Sequence, residues 1–223
     1  AHNYFSEFHF RIEDIQTDFY GSVVDSKRVE NLAKARNTCF EQVKDLSFYD
    51  YAMSVEVDGQ FSVPSLERLF KNIGEWDILS AGSYAPPTDY ARKLARTKGE
   101  KFKVHFYDHW ATRLDSDEDF WDNKIKDGET LFQSGLSSLN PQDLVTLPDD
   151  ILPVYSTFNL VCLYRMKAIT EGCQFSGYSE HLQSFDCDTT VICEKFRKAG
   201  YNKIGMMPHL KVFNDPKLQI KVV

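Results

Sequence analysis

Two carboxylates two residues apart, Glu56 and Asp58, end a mostly apolar stretch, Tyr51 to Val57, and stand before Gly59. The stretch predicts a strand, in which alternate side chains share a face, so both carboxylates lie on one face at the strand's carboxyl end. Open α/β sheets bind ligands at that end. Two carboxylates there can hold a divalent cation, which commonly bridges to a diphosphate. A solvated strand end is the alternative.

A second acidic pair, Asp186 and Asp188, precedes an apolar pattern that predicts a helix from Thr189 to Ala199, ended by Gly200. The pair therefore lies near a helix N-terminus, where capping is the ordinary role of an aspartate. A strand from Ile204 to Phe213 is expected to follow.

The residues before the first acidic pair predict a helix of about 18 residues. Asp25 or Ser26 can cap it, and we expect it to pack on the strand that carries Glu56 and Asp58. Arginine binds phosphate in a bidentate way, so basic residues of this helix are candidates to lie near a diphosphate. Lys34 is assigned to the solvated face, whereas three other polar residues are assigned to the diphosphate: Arg28, Arg36 and Asn37.

Alternating helical and strand patterns along the rest of the chain predict an α/β fold in a single domain over residues 1–223. Buried polar groups need partners, so Asn159, within an apolar strand pattern, is either bonded structurally or faces a ligand. Residues 126–150 are expected to form a loop that is either flexible or faces an acceptor. The further expected elements are helices from Ser62 to Gly74 and Asp89 to Thr97, and strands from Trp76 to Ala81, Phe102 to Tyr107 and Val154 to Tyr164.

The composition is that of an ordinary globular protein, with 42% hydrophobic and 14% aromatic residues. The net charge of −7 excludes the basic footprint of nucleic-acid binding. No apolar run reaches the roughly 20 residues that span a bilayer, so we expect a soluble domain, either cytoplasmic or the lumenal part of a Golgi or ER enzyme. Five cysteines without a CxxC pair argue against a zinc ribbon and leave at most two disulfides.

Six segments in order resemble the GT-A fold glycosyltransferases, and among them the fungal capsule-associated mannosyltransferase family of Cryptococcus. The segments, which together reach from Arg28 to Phe213, are RVENLAKARN, SVEVDGQF, DILSAGSY, FYDHWATR, PVYSTFN and FDCDTTVICEKFRKAGYNKIGMMPHLKVF. The resemblance implies a GT-A-like mixed sheet flanked by helices. It also implies metal-dependent transfer of a hexose, mannose or glucose, from a GDP- or UDP-sugar to a hydroxyl of a glycan or glycoprotein acceptor.

By the same resemblance, Glu56 and Asp58 hold Mn²⁺ or Mg²⁺ together with His209, whose imidazole suits Mn²⁺ better. Asp186 or Asp188 stands where such enzymes keep an acidic residue facing the acceptor, as a general base or a stabilising charge. Three residues of the FYDHWATR segment are placed on the donor sugar side, although Trp110 could equally belong to the core, and Asn159 is added as a donor contact. The three residues are Asp108, Trp110 and Arg113.

The chain departs from the family pattern in two places. The triplet begins with Glu56 in place of the usual aspartate, and few residues precede it, so we expect either a piece of a longer protein or an abbreviated nucleotide half. A catalytically silent nucleotide-sugar or glycan binding module of the same fold is the alternative function. A nucleotidyltransferase is less favoured, since no glycine-rich basic phosphate loop is present.

Overall fold

The computed structural model describes residues 25–43, 45–56, 59–85, 97, 105–108, 110–114 and 151–214. Asp58 lies outside these residues, as do the expected helix at 89–97 apart from Thr97 and the loop at 126–150. Within the described residues, no helix is both long and apolar enough to cross a bilayer. All five cysteines are free thiols.

Four helices and nine strands are described here with their bounds. The helices are α1 (Ser26–Glu41), α2 (Val63–Asn72), α3 (Met166–Thr170) and α4 (Asp188–Lys198), with a 3₁₀ turn at Leu46–Phe48. The strands are β1 (Tyr51–Val55), β2 (Gly59–Gln60), β3 (Ile78–Ala85), β4 (His105–Phe106), β5 (Leu152–Pro153), β6 (Val161–Arg165), β7 (Tyr178–Ser179), β8 (Ser184–Phe185) and β9 (Ile204–Asn214).

A mixed sheet forms the centre, with the strand order β1-β6-β3-β9-β2 and with β4 and β5 paired to β3 and β9. β3 and β9 run parallel, and β6 is antiparallel to both β1 and β3, so β1, β3 and β9 share one direction. Their carboxyl ends therefore lie at one edge of the sheet. The mixed α/β architecture is confirmed.

Each face of the sheet carries a separate core, because neighbouring strand residues point to opposite faces. Ile78 packs with residues of α1 and α4, whereas Leu79 packs with residues of α2. The sheet is therefore sandwiched, with α1 and α4 on one face and α2 on the other. This layering follows from helices that bury only one apolar stripe each.

Helix starts agree with the sequence signals. The Asp25 carboxylate accepts hydrogen bonds from the backbone N–H groups of Lys27 and Arg28, and Ser62 caps α2 through the N–H of Ser65. These caps satisfy N–H groups that have no partner within the helix.

The expected strand from Val154 to Tyr164 is wrong in its extent. Its middle turns sharply, because Asn159 and Leu160 adopt left-handed φ angles of 55° and 64°. Only Val161–Arg165 pairs in the sheet as β6, and the residues before the turn run through an isolated bridge between Ser156 and Arg113.

Candidate functional site

Arg36 joins α1, β1 and α4 through three different nitrogen atoms. Its Nε donates to Asp188 Oδ2 at 2.8 Å, and its Nη1 donates to Ser54 Oγ at 3.2 Å. Its Nη2 donates to Glu56 Oε1 at 2.6 Å. The guanidinium also lies over the Phe158 ring, 4.6 Å from the centroid, so its position is fixed on several sides.

Helical and strand periodicity bring these groups together. Val29 and Ala33 are the buried residues of α1, and Arg36 follows them at helical spacing, so it points to the same inner face. In β1 and the residue after it, Ser54 and Glu56 are two apart and share the face that α1 covers. Asp188 opens α4 on that face, so the cluster assembles from three segments distant in sequence.

The cluster carries more negative than positive charge. Burial lowers the pKa of Arg36, but the carboxylates of Asp188 and Glu56 more than offset this, so its pKa is raised and the guanidinium stays charged. Burial raises the pKa of Asp188 although Arg36 opposes the shift, and Glu56 adds to it. Two carboxylates thus share a single guanidinium. The side chains of Arg36 and Glu56 are 17% and 34% exposed, whereas that of Asp188 is 2% exposed.

A cavity of about 550 Å³ lies between α1 and β1, next to this cluster. Its walls are mainly aliphatic and aromatic, and three polar side chains of the cluster stand on them: Arg36, Ser54 and Glu56. An apolar cleft with a few convergent polar groups is the usual form of a small-molecule site. The lining residues include Leu32, Phe40, Leu46, Tyr49, Ala52 and Phe175.

Asp108 is held at the same edge of the sheet by the left-handed turn of Asn159. Its Oδ2 accepts the backbone N–H of Asn159 at 2.7 Å. Burial raises the pKa of Asp108 to about 6 and Glu56 adds to the shift, while backbone N–H groups of Asn159 and Ala111, and the charge of Arg36, lower it. As a whole residue Asp108 is half-buried, and with a pKa of about 6 its carboxylate changes charge in mildly acidic solution.

The Asn159 side chain is bonded within the structure, which is one of the two roles that the sequence left open; the other was to face a ligand. It is 0% exposed, its Oδ1 accepts from Ser83 Oγ at 2.8 Å, and its Nδ2 contacts Thr157 Oγ1 at 2.7 Å. Further Nδ2 contacts reach Ser80 and Thr112. These bonds fix the turn whose N–H holds Asp108, so Asn159 acts on the site through its backbone.

A second arginine–aspartate pair lies wholly in the interior. Asp186 is 0% exposed, and its Oδ1 accepts from Arg113 Nη2 at 2.6 Å, from Trp110 Nε1 at 3.0 Å and from the N–H of Cys187 at 2.7 Å. Trp110 and Arg113 are 7% and 1% exposed. Asp186, which was predicted for catalysis, therefore binds Trp110 and Arg113, which were predicted for sugar binding.

Other predicted residues lie in the following places. The Asn37 amide bonds both the N–H and the C=O of Phe175, which ties α1 to the chain before β7. Arg28 is half-buried in the first turn of α1. His209 is half-buried in a bulge of β9, where three residues separate the partners of Ala81 and Gly82.

No group of three or more His, Cys, Asp or Glu side chains is arranged to hold a metal ion within the described ranges, which leave out Asp58. Glu56 is the predicted ligand that the structure places at the cavity, and its half-exposed carboxylate oxygens are of the type that Mn²⁺ and Mg²⁺ bind. The cation site formed by Glu56, Asp58 and His209 therefore remains a prediction.

Sequence reasoning missed Ser54, Phe158 and Phe175, which surround the Arg36 guanidinium. Ser54 had a signal, because it is two residues before Glu56 and so shares its face. The two phenylalanines had none, since their approach to Arg36 depends on pairing between distant segments. Neither a scan against protein-family models nor a search of curated proteins finds a match for this chain.

Proposed function

We propose that this protein is a metal-dependent glycosyltransferase with a GT-A-like fold. It transfers a hexose, mannose or glucose, from a GDP- or UDP-sugar to a hydroxyl of a glycan or glycoprotein. The observation that carries the proposal is the half-exposed Glu56 at the carboxyl end of β1, beside Arg36 and on the wall of the 550 Å³ cavity. A carboxylate, a guanidinium and an apolar cleft together suit a diphosphate attached to a planar base.

The cavity offers apolar side chains for the base of such a donor and a guanidinium for its diphosphate. Phe40, Tyr49 and Phe175 offer rings and apolar surface to the base, and Arg36 stands at the end where the diphosphate would lie. Glu56 and Asp58 would hold the cation, with His209 as a further ligand. When bound, Mn²⁺ or Mg²⁺ neutralises charge on the leaving diphosphate.

The chain's own groups orient the sugar. Asp108 offers a half-buried carboxylate that accepts hydrogen bonds from hydroxyl groups, and the Asn159 turn keeps it in place. Preorganised acceptors of this kind lose little entropy when the substrate binds, so they favour reaction at the anomeric carbon.

The test is the thermal stability of the protein with a panel of GDP- and UDP-hexoses, with and without Mn²⁺. We expect one donor to raise the Tm only with Mn²⁺, because a ligand that binds the folded state alone stabilises it by mass action. The shift should disappear in Asp58→Ala and in Glu56→Ala, and should persist in the control Glu75→Ala, whose carboxylate pairs with the exposed Lys203. No shift with any donor would contradict the proposal.

One observation favours the alternative of a silent nucleotide-sugar or glycan binding module. Asp186 and Asp188, the carboxylates predicted to act on the acceptor, are both buried and bonded to arginines. A catalytic role for either would require one of these pairs to open. Release of GDP or UDP by purified protein with an acceptor distinguishes the two functions, since a binding module gives a thermal shift without turnover.

A further inference from the structure

β1 stands at one end of the strand order, and within the described part of the chain only β6 pairs with it. Two bonds show which of its backbone groups face β6. The Asp50 carbonyl accepts from the N–H of Met166, and the Glu56 N–H donates to the carbonyl of Leu160. In an antiparallel pair such bonds recur at every second residue, so residues 50, 52, 54 and 56 bond to β6. The N–H and C=O groups of residues 51, 53 and 55 therefore face outward from the sheet.

This outward edge lacks the features that usually keep another strand from pairing with it. The stretch Tyr51–Val55 contains no charged residue and no proline, and its register with β6 is continuous. Three exposed apolar side chains lie in or just before it: Phe48, Tyr49 and Met53. An edge of this kind is a template for a further extended chain.

The 550 Å³ cavity lies along the same edge. Its lining includes every residue of β1, together with apolar side chains of α1 such as Leu32 and Phe40. Ala52 and Ser54 share the face of β1 that α1 covers, and their small side chains leave the space between helix and strand open. Residues of an added strand share a face with the residues that they oppose, so the two residues opposite Ala52 and Ser54 would point into the cavity.

The charges at the two ends of β1 indicate what kind of chain fits. Asp50 is exposed directly before β1, and Glu56 follows it with a carboxylate that Arg36 contacts through Oε1 alone. A second copy of this chain, paired antiparallel about Met53, would place Asp50 opposite Glu56 at both ends, and like charges in opposition are destabilising. A peptide with two basic residues six positions apart would instead place one opposite each carboxylate.

We propose that the outward edge of β1 binds an extended peptide as an additional antiparallel strand. Two apolar side chains of the peptide fill the cavity between α1 and β1, and a basic residue stands opposite each of Asp50 and Glu56. This inference goes beyond the proposed function. Because the same cavity is proposed for the base of the donor, a bound peptide would exclude the nucleotide.

The probe is the peptide Lys-Thr-Leu-Thr-Leu-Thr-Lys, acetylated and amidated at its ends, and its binding to the protein is measured by calorimetry without any nucleotide. With the central threonine opposite Met53, the leucines oppose Ala52 and Ser54, and the lysines oppose Asp50 and Glu56. We expect binding in the micromolar range. Replacing both lysines by glutamate should weaken it about tenfold, since each end then opposes like charges.

Two methylated peptides of equal mass test the strand pairing itself. A residue opposite Met53 exchanges both backbone bonds with it, whereas the N–H groups of the neighbouring leucines point away from β1. An N-methyl group on the central threonine should therefore weaken binding about tenfold, and one on the first leucine should leave the affinity within about twofold. Equal affinities of these two peptides would overturn the added strand.

One protein variant tests the charge at the edge. Asp50→Asn should weaken peptide binding several-fold, whereas the control Glu67→Gln, which removes a negative charge from an exposed position of α2, should not. The remaining outcomes concern the occupant. No binding of the unmodified peptide would overturn the proposal, and so would a dimer of the protein in sedimentation experiments that excess peptide fails to dissociate. Because the assay contains no donor, its result is independent of the test of glycosyl transfer.

Discussion

The two arginine–aspartate pairs of this protein use the same residue types in opposite settings. Arg113 and Asp186 are 1% and 0% exposed and lie in the interior with Trp110. Arg36 and Asp188 have a third charged member, Glu56, that reaches a cavity. Removing one member of a buried pair strongly lowers stability, because the other charge stays buried without a partner. A partly exposed carboxylate that loses its partner regains water instead. Accessibility therefore separates a pair that is wholly interior from one whose charged neighbour lies on a cavity wall.

The largest expected effect is on the interior pair. Asp186→Ala removes the carboxylate that Arg113, Trp110 and the Cys187 N–H all contact, and breaking a buried pair in this way costs about 3 to 5 kcal/mol. We expect a fall in Tm of about 10 °C by differential scanning calorimetry. The control is Glu180→Ala, which removes an exposed partner of Lys198 and should change the Tm little. Equal shifts in both variants would remove the distinction between the pairs.

A smaller effect is expected at Glu56. Glu56→Gln keeps the side-chain length and a hydrogen-bond acceptor for Arg36 but removes the charge, and pairs this exposed contribute about 0 to 1 kcal/mol. The free energy of urea unfolding should therefore stay close to that of the wild type, while any Mn²⁺ binding is lost. A loss of stability comparable to that of Asp186→Ala would show that Glu56 is structural.

The smallest expected effect is a pH dependence from Asp108. Its folded-state pKa is raised by burial to about 6, above the usual value near 4 for an unfolded chain. Between these values the folded state holds more protons, so this group's contribution to stability falls as the pH rises from about 4 to 6. Carbon NMR of the carboxylate should give its titration, and Asp108→Asn should remove this dependence from the unfolding free energy. A titration midpoint near 4 would contradict the burial of this group.

Local signals in the sequence predicted much of the fold. Asp25 and Ser62 cap the helices that they were expected to cap, and the strand before Glu56 ends at the edge where β3 and β9 also end. Caps and periodicity depend on neighbours within a few residues, which a sequence displays directly.

The parts that could not be predicted depend on long-range partners or backbone angles. The strand expected through Asn159 was wrong because an apolar run does not reveal a left-handed turn, which is fixed here by Ser80, Ser83 and Thr157. The contact between Arg36 and Asp188 joins residues 152 apart, and no local pattern contains it. The sequence named Glu56, Asp188 and Arg36 as candidate site residues, but it did not indicate that they contact one another.

The bulge of β9 that carries His209 depends on Gly82 of the neighbouring strand β3. A Cβ atom at Gly82 would come within 2.8 Å of the Pro208 carbonyl oxygen, closer than side chains allow, and the register of β3 and β9 changes at this point. The missing side chain of one residue thus makes room for the bulge that carries the histidine. A protein engineer who wished to relocate His209 would begin by altering residue 82 and leave β9 untouched.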